Sequence, residues 1–250
     1  MSRGRLFDAV AQTYDDVRPD YPAELYDAID DVHPLRDARV LDLAAGTGVA
    51  TRQLGERGAV VTAVDPGFTM LRQLRHRSPG VAAVAASAER LPFRRAMFDL
   101  ICCATAWHWL DTTATLEQVR LVAAPGAHLA IWWANHRRDE QIEWEAAQGR
   151  VHDAWALKVG SRPPTMAGVA PRDAAADLRR RGFDVVVDTE LTWSRTVDRE
   201  THLRVISTHS DVLALGERRH RLLADIENAL APWPQVEERL WGSFVVAALR

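Results

Sequence analysis

The sequence predicts an α/β fold, a doubly wound, mostly parallel sheet of seven strands with helices on both faces. Three observations carry this. Short apolar runs alternate with helical stretches from residue 39 to residue 133, the signature of βαβ units. The first run ends in a glycine-rich turn, as a ligand-binding sheet requires. The chain has 250 residues, 47% of them hydrophobic and 26% charged, enough to bury a core as one large domain.

The strands come in order. Residues 39–43 are a short apolar run ending at the glycine turn. Residues 59–64 are β-branched and end at Asp65 and Pro66. Residues 81–86 are a weaker, alanine-rich run. Residues 98–104 read as a buried strand, and residues 127–133 follow Pro125 and Gly126 as another. Helices are expected over 49–57, 69–76 and 113–123. Five parallel strands then need covering on both faces. In the second half, helical spacing runs over 139–158, and a helix over 172–181 is stopped by Gly182. Residues 183–193 alternate like a strand. Residues 199–230 read as two helices split near Ser210, and residues 240–249 as a last strand. The chain is therefore read as a single domain over 1–250. It has N-terminal helices in 1–35, a core in 36–135 and helical cap insertions in 136–182 and 194–238. The last two strands are 183–193 and 240–249.

Composition excludes several classes. Disorder and collagen-like structure do not fit this apolar content with 14 Gly and 12 Pro. The two cysteines, Cys102 and Cys103, are adjacent, so they make neither a disulfide framework nor a zinc cluster. They read as small core residues in a reducing compartment. The net charge is −3, with 31 basic residues scattered among 34 acidic ones, which argues against nucleic acid. Only Lys158 among the basic residues is a lysine. No run approaches the ~20 apolar residues needed to span a bilayer. Arg3, Arg5 and Asp8 interrupt the N-terminus, so no signal peptide is read there and a cytoplasmic protein is expected.

The turn after the first strand is Asp42-Leu43-Ala44-Ala45-Gly46-Thr47-Gly48. A dinucleotide fingerprint needs a third glycine, and Thr51 stands there instead. Asp42 would repel a pyrophosphate and attract an ammonium group. The pattern therefore favours a cationic nucleoside ligand over NAD.

The segment from Val40 to Gly48 resembles motif I of the class I S-adenosylmethionine-dependent methyltransferases. Several further matches follow in order. The resemblance implies that Ala44, Gly46, Thr47 and Gly48 form the cofactor loop and that Asp42 meets the methionine amino group. Asp65 would bind the ribose hydroxyls, with Pro66 and Met70 beside the adenosine. Ser87, Ala88 and Glu89 would hold the adenine. Many relatives carry Asp where Ser87 stands. Ala104 closes the fourth strand at the same site. The pattern at Phe7, Asp8, Tyr14, Arg18 and Tyr21, and the run from Ala106 to Asp111, resemble a small-molecule, trans-aconitate methyltransferase-like subgroup. In it, Tyr14 and Arg18 lie over the methionine half of the cofactor. The resemblance also implies an antiparallel last strand.

The implied function is transfer of the methyl group of S-adenosylmethionine to a small-molecule acceptor, on oxygen, without a metal. An NAD(P)-dependent oxidoreductase and a non-catalytic cofactor-binding protein of the same fold are the alternatives. His108, at the carboxyl end of the fourth strand, is the candidate general base, and one of Trp107 and Trp109 is expected to face the pocket. The run His209, Ser210 and Asp211 is not read as a triad, because triad members converge from distant chain positions. Its place in the cap puts His209 or Ser210 in reach of substrate. Arg137 and Arg138 read as a solvated basic pair.

Overall fold

The computed structural model describes residues 7–155, 170 and 173–249. Its strands are β1 (Arg39–Leu43), β2 (Val60–Asp65), β3 (Ala82–Ala85), β4 (Phe98–Ala104), β5 (Ala123–Trp132), β6 (Asn135–His136), β7 (Asp184–Asp198) and β8 (Gln235–Ala248). They form one sheet in the order β3-β2-β1-β4-β5-β8, with β7 on the far side of β8. The first five strands pair in parallel. β8 runs antiparallel to both β5 and β7. The expected α/β architecture and its antiparallel last strand are both present.

The eighth strand, β6, continues β5. Asn135 and His136 pair with Trp241 and Leu240 of β8, and the Trp133 N–H donates to the Ser243 carbonyl between the two pieces. The Trp133 carbonyl then lies so close to Gly242 that a Cβ on residue 242 would sit 1.8 Å from it. Only glycine permits that approach.

The helices are α1 (Ala11–Val17), α2 (Ala23–Val32), α3 (Val49–Glu56), α4 (Phe68–Arg77), α5 (Thr112–Val122), α6 (Glu143–Ala154), α7 (Ala174–Arg180), α8 (Arg199–Ser207), α9 (Ser210–Leu213) and α10 (Arg219–Ala229). Strand alternation divides the core between the two faces. Leu100 and Cys102 of β4 pack with Leu25, Tyr26 and Leu54 of α2 and α3. Ile101 and Cys103 pack with Leu116 and Val119 of α5 and Leu178 of α7. The neighbouring cysteines thus point to opposite faces, both buried and free. The cap has its own small core, in which Ile206, Val212, Leu222, Ile226 and Leu230 pack with Trp144 and Trp155.

Several boundaries differ from the sequence reading. β5 begins at Ala123, because the register against β4 shifts between Phe98 and Leu100 and admits extra residues on β5. β7 and β8 outrun the expected strands and pair out to Asp198 and Gln235. Residues 194–198 and 235–238, expected in the cap, are therefore strand, and the insertion between them is 199–234. No residue of β7 is fully buried, so an edge strand of this kind shows no apolar run. The helix expected over 139–158 is α6, and its residues 156–158 lie outside the described residues. The helix expected over 172–181 is α7, and residue 172 lies outside them as well. The stretch 199–230 holds α8, α9 and α10 rather than two helices. Because β7 is parallel to β5, the cap leaves the sheet at its carboxyl end. Among the described residues, no helix is long and apolar enough to cross a membrane.

Candidate active site

Strand order reverses between β1 and β4, and the crevice outside the carboxyl ends of the strands at such a point is where ligands bind. A cavity of about 390 Å³ lies there, within the ~300–1,000 Å³ of typical ligand clefts.

Its floor is the turn after β1. Gly46 has φ +58 and Gly48 φ +85, and Ala44 holds φ +53 without being glycine. An alanine in this left-handed region is strained by ~1–2 kcal/mol. Asp65, the last residue of β2, locks the turn. Its Oδ2 accepts the Gly46 N–H at 2.9 Å, and its Oδ1 accepts the Gly67 N–H at 2.7 Å. Burial raises the Asp65 pKa, and the two amides oppose that. Each carboxylate oxygen can still accept a further hydrogen bond, and Asp65 lines the cavity.

The cavity gathers most of the residues expected at the site. Ala44, Gly46, Thr47, Asp65, Pro66 and Met70 line it on one side. Ser87, Ala88, Glu89 and Ala104 continue the wall, and Tyr14 and Arg18 of the N-terminal region complete it. Glu89 is tied to the β4–α5 connection, its Oε1 accepting the Asp111 N–H at 3.0 Å. Thr47 is buried and lines the cavity, yet its Oγ1 has no partner.

Asp42, Gly48 and His108 are not among the lining residues. Asp42 shares its strand face with Val40 and turns towards α3, where its Oδ2 accepts from Thr51 Oγ1 at 2.5 Å. Its Oδ1 has no partner, and burial raises its pKa to about 7 against the pull of Thr51. Gly48 precedes α3, and a Cβ there would lie 2.7 Å from Leu74 Cγ. Its role is close packing of α3 on α4. His108 sits in a 3-10 turn, where its Nδ1 accepts from Trp133 Nε1 at 3.0 Å. The turn carries the imidazole towards β5 rather than to the cavity wall. Trp107 is core, whereas Trp109 lines the cavity with Phe7.

The lining residues that the sequence did not single out for the site include Tyr21, Thr105, His136 and Leu240. Thr105 has φ +53, an outlier for a β-branched residue and a marker of functional strain. Its Oγ1 lies 2.9 Å from the Tyr21 hydroxyl and accepts the Ala134 N–H at 3.1 Å. No local pattern announces these residues, because the register of β6 on β8 brings His136 and Leu240 together.

The N-terminal region is fastened to both sheet and cap. The buried Asp15 carboxylate accepts from Arg52 at 2.8 Å, and from Gln73 and Arg77 at 3.0 Å. The Arg18 guanidinium stacks 4.6 Å over Tyr14 and donates to Thr208 Oγ1 and the Thr208 carbonyl, both at 3.0 Å. Arg195 donates to the Val17 carbonyl at 2.7 Å. His209, Ser210, Arg137 and Arg138 are not among the lining residues. Arg138 pairs with Asp153 at 3.0 Å. Among the described residues no group of three or more His, Cys, Asp or Glu side chains is arranged to hold a metal ion.

Residues 41–131 match the model of a methyltransferase domain family. An uncharacterized methyltransferase of Mycobacterium tuberculosis is 39% identical over 145 residues, 58% of each chain. A demethylmenaquinone methyltransferase of Corynebacterium kroppenstedtii is 34% identical over 137 residues, 51% of this chain and 57% of that one. The chain thus spans little more than half the length of these relatives. A solved structure from Anaeromyxobacter dehalogenans, assigned as a type II methyltransferase, superposes with a TM-score of 0.69. It is 29% identical and covers 93% of this chain and 97% of its own. With the switch-point cavity, these matches support a class I S-adenosylmethionine-dependent methyltransferase, the family model covering residues 41–131.

Proposed function

We propose that this protein transfers the methyl group of S-adenosylmethionine to an oxygen of a small-molecule acceptor. One observation carries the reading. Asp65, anchored by the Gly46 and Gly67 amides, faces the cavity beside the glycine turn, the arrangement a ribose diol requires. The buried, unpartnered Thr47 Oγ1 on the same wall supports it as a polar atom that a ligand completes.

In this reading Ala44, Gly46 and Thr47 hold the cofactor's backbone side, and Asp65 holds the ribose, with Pro66 and Met70 against the adenosine. Ser87, Ala88 and Glu89 border the adenine, and Ala104 the reacting end. Tyr14 and Arg18 cover the methionine half, with Arg18 opposite its carboxylate. Asp42 and Gly48 act from behind the wall, Asp42 by setting the turn and Gly48 by seating α3. The cofactor supplies a methyl group already made electrophilic by its sulfonium. The protein's task is to align the acceptor and exclude water. The Tyr21 and Thr105 hydroxyls beside Ala104 suit an oxygen nucleophile. The resemblance to trans-aconitate methyltransferase-like proteins is carried by Tyr14, Arg18 and the 106–111 run, and extends to the cofactor side only.

Thermal unfolding with S-adenosylhomocysteine, against NAD as control, tests the reading. A ligand at 100 times its Kd adds about 2.7 kcal/mol. A rise with S-adenosylhomocysteine alone supports it, and a rise with NAD alone overturns it. Transfer of a labelled methyl group into a small-molecule fraction then tests the acceptor class.

A further inference from the structure

Part of the cavity wall has no role in holding the cofactor. Its residues include Phe7, Trp109, Leu110 and Leu240, together with Thr105, Tyr21 and His136. We propose that His136 is a catalytic residue that receives the proton of a neutral, protic and otherwise apolar acceptor, a phenol or an enol. The proposal rests on the methyl-transfer reading above.

The first support is position. His136 ends β6, fixed opposite Leu240 by the strand register, and both residues line the cavity. Its Nε2 is buried and has no partner. A buried nitrogen left unpaired costs ~1–3 kcal/mol, and a ligand or ordered water at such an atom is the usual explanation.

The second support is the surrounding charge. Glu238 of β8, Arg195 of β7, His202 of α8, His209 ahead of α9 and Arg18 after α1 all face this imidazole. The Glu238 carboxylate is already engaged, by Arg195 at 2.7 Å and by His202 Nδ1 at 2.7 Å. His202 Nε2 lies 2.7 Å from Gln148 Oε1. The rings of His209 and His202 stand 5.5 Å and 6.3 Å from His136. Burial, aided by His202, Arg18 and Arg195, outweighs Glu238 and holds the His136 pKa down to about 4. The imidazole is therefore neutral near pH 7, as a proton acceptor must be. Its weak basicity suffices, because a hydroxyl becomes strongly acidic as its oxygen bonds to carbon.

The third support concerns the acceptor. The charged residues among the described lining are Arg18, Asp65 and Glu89. In the reading above Arg18 is matched by the cofactor's carboxylate, and Asp65 and Glu89 are themselves acidic. A polycarboxylate would enter this region without a counter-charge, at high desolvation cost. A phenol buries its ring against Phe7 and Trp109 and offers one proton.

The step balances. The acceptor oxygen bonds to the methyl carbon, and the methyl–sulfur bond breaks with its electron pair left on sulfur. The hydroxyl proton passes to His136 Nε2 and from there to solvent.

The test uses the full chain saturated with S-adenosylhomocysteine, with 15N-labelled histidine. The probes are 4-propylphenol, its methyl ether and citrate. The His136 resonance, assigned by its loss in His136→Gln, is expected to report a neutral ring down to pH 5. It should shift with the phenol and not with citrate, the ether shifting it less. With the phenol as acceptor, His136→Gln should lower kcat by about 10²-fold or more while S-adenosylhomocysteine affinity changes less than twofold. An unmoved resonance, tighter binding of citrate or an unchanged kcat overturns the proposal. Absence of S-adenosylhomocysteine binding to the unmodified protein instead overturns the methyl-transfer reading beneath it.

Discussion

The Gly46 N–H donates to Asp65 Oδ2 at 2.9 Å, joining the turn after β1 to the end of β2. The same carboxylate receives the Gly67 N–H ahead of α4. One side chain thus sets the shape of the floor and lies at its surface.

Asp65→Ala is therefore expected to act twice. It removes a charged acceptor from the cofactor, worth about 1.5–3 kcal/mol or roughly 10- to 150-fold in Kd. It also strands two backbone amides, so the midpoint of urea unfolding should fall while the sheet still forms. Calorimetry with S-adenosylhomocysteine on the folded variant, beside urea titration, measures the two effects separately.

The two glycines of the turn should separate stability from binding. A Cβ on Gly48 meets Leu74 at 2.7 Å at φ +85, whereas one on Gly46 meets Met70 Cε at 3.4 Å at φ +58. Gly48→Ala is expected to cost ~2–4 kcal/mol from left-handed strain and overpacking, read by urea unfolding. Gly46→Ala should cost ~1–2 kcal/mol from strain and fall mainly on cofactor affinity. Gly46→Val should abolish binding.

Asp42 gives stability a pH dependence. Its folded pKa of about 7 lies above the ordinary 3.8, so the folded state holds a proton that the unfolded chain has released. Its contribution to stability is fully present below about pH 4, falls as the pH rises to about 7 and is flat above that. Asp42→Asn should flatten the profile between pH 5 and 8 in urea titrations. Thr51→Val removes the hydrogen bond that favours the charged form, and should push the fall to higher pH.

Asp15 latches α1 to α3 and α4 through Arg52, Gln73 and Arg77. Asp15→Ala should speed hydrogen exchange over residues 11–17 at least tenfold, leave the strands protected and weaken S-adenosylhomocysteine binding. Exchange measured by mass spectrometry, with and without that ligand, follows both effects.

The sequence made the cofactor side of the cavity legible because that side is local. The turn from Asp42 to Gly48 and the acid at Asp65 each follow directly on their strands. The opposite wall is assembled at long range: His136 reaches the cavity through β6 on β8, and Tyr21 through its hydroxyl contact with Thr105. His108 looked better placed than it is, since the direction of a side chain in a 3-10 turn is set by Trp133, a residue 25 positions away. The length of β7 and β8 was hidden because their far ends pair polar residues, as Arg195 with Glu238.

The most direct test is calorimetric titration of S-adenosylhomocysteine into the unmodified chain and into Asp65→Ala. The account predicts one site per chain, weakened about 10- to 150-fold in the variant. Equal affinity in the two proteins, or no binding to the unmodified chain, would contradict it.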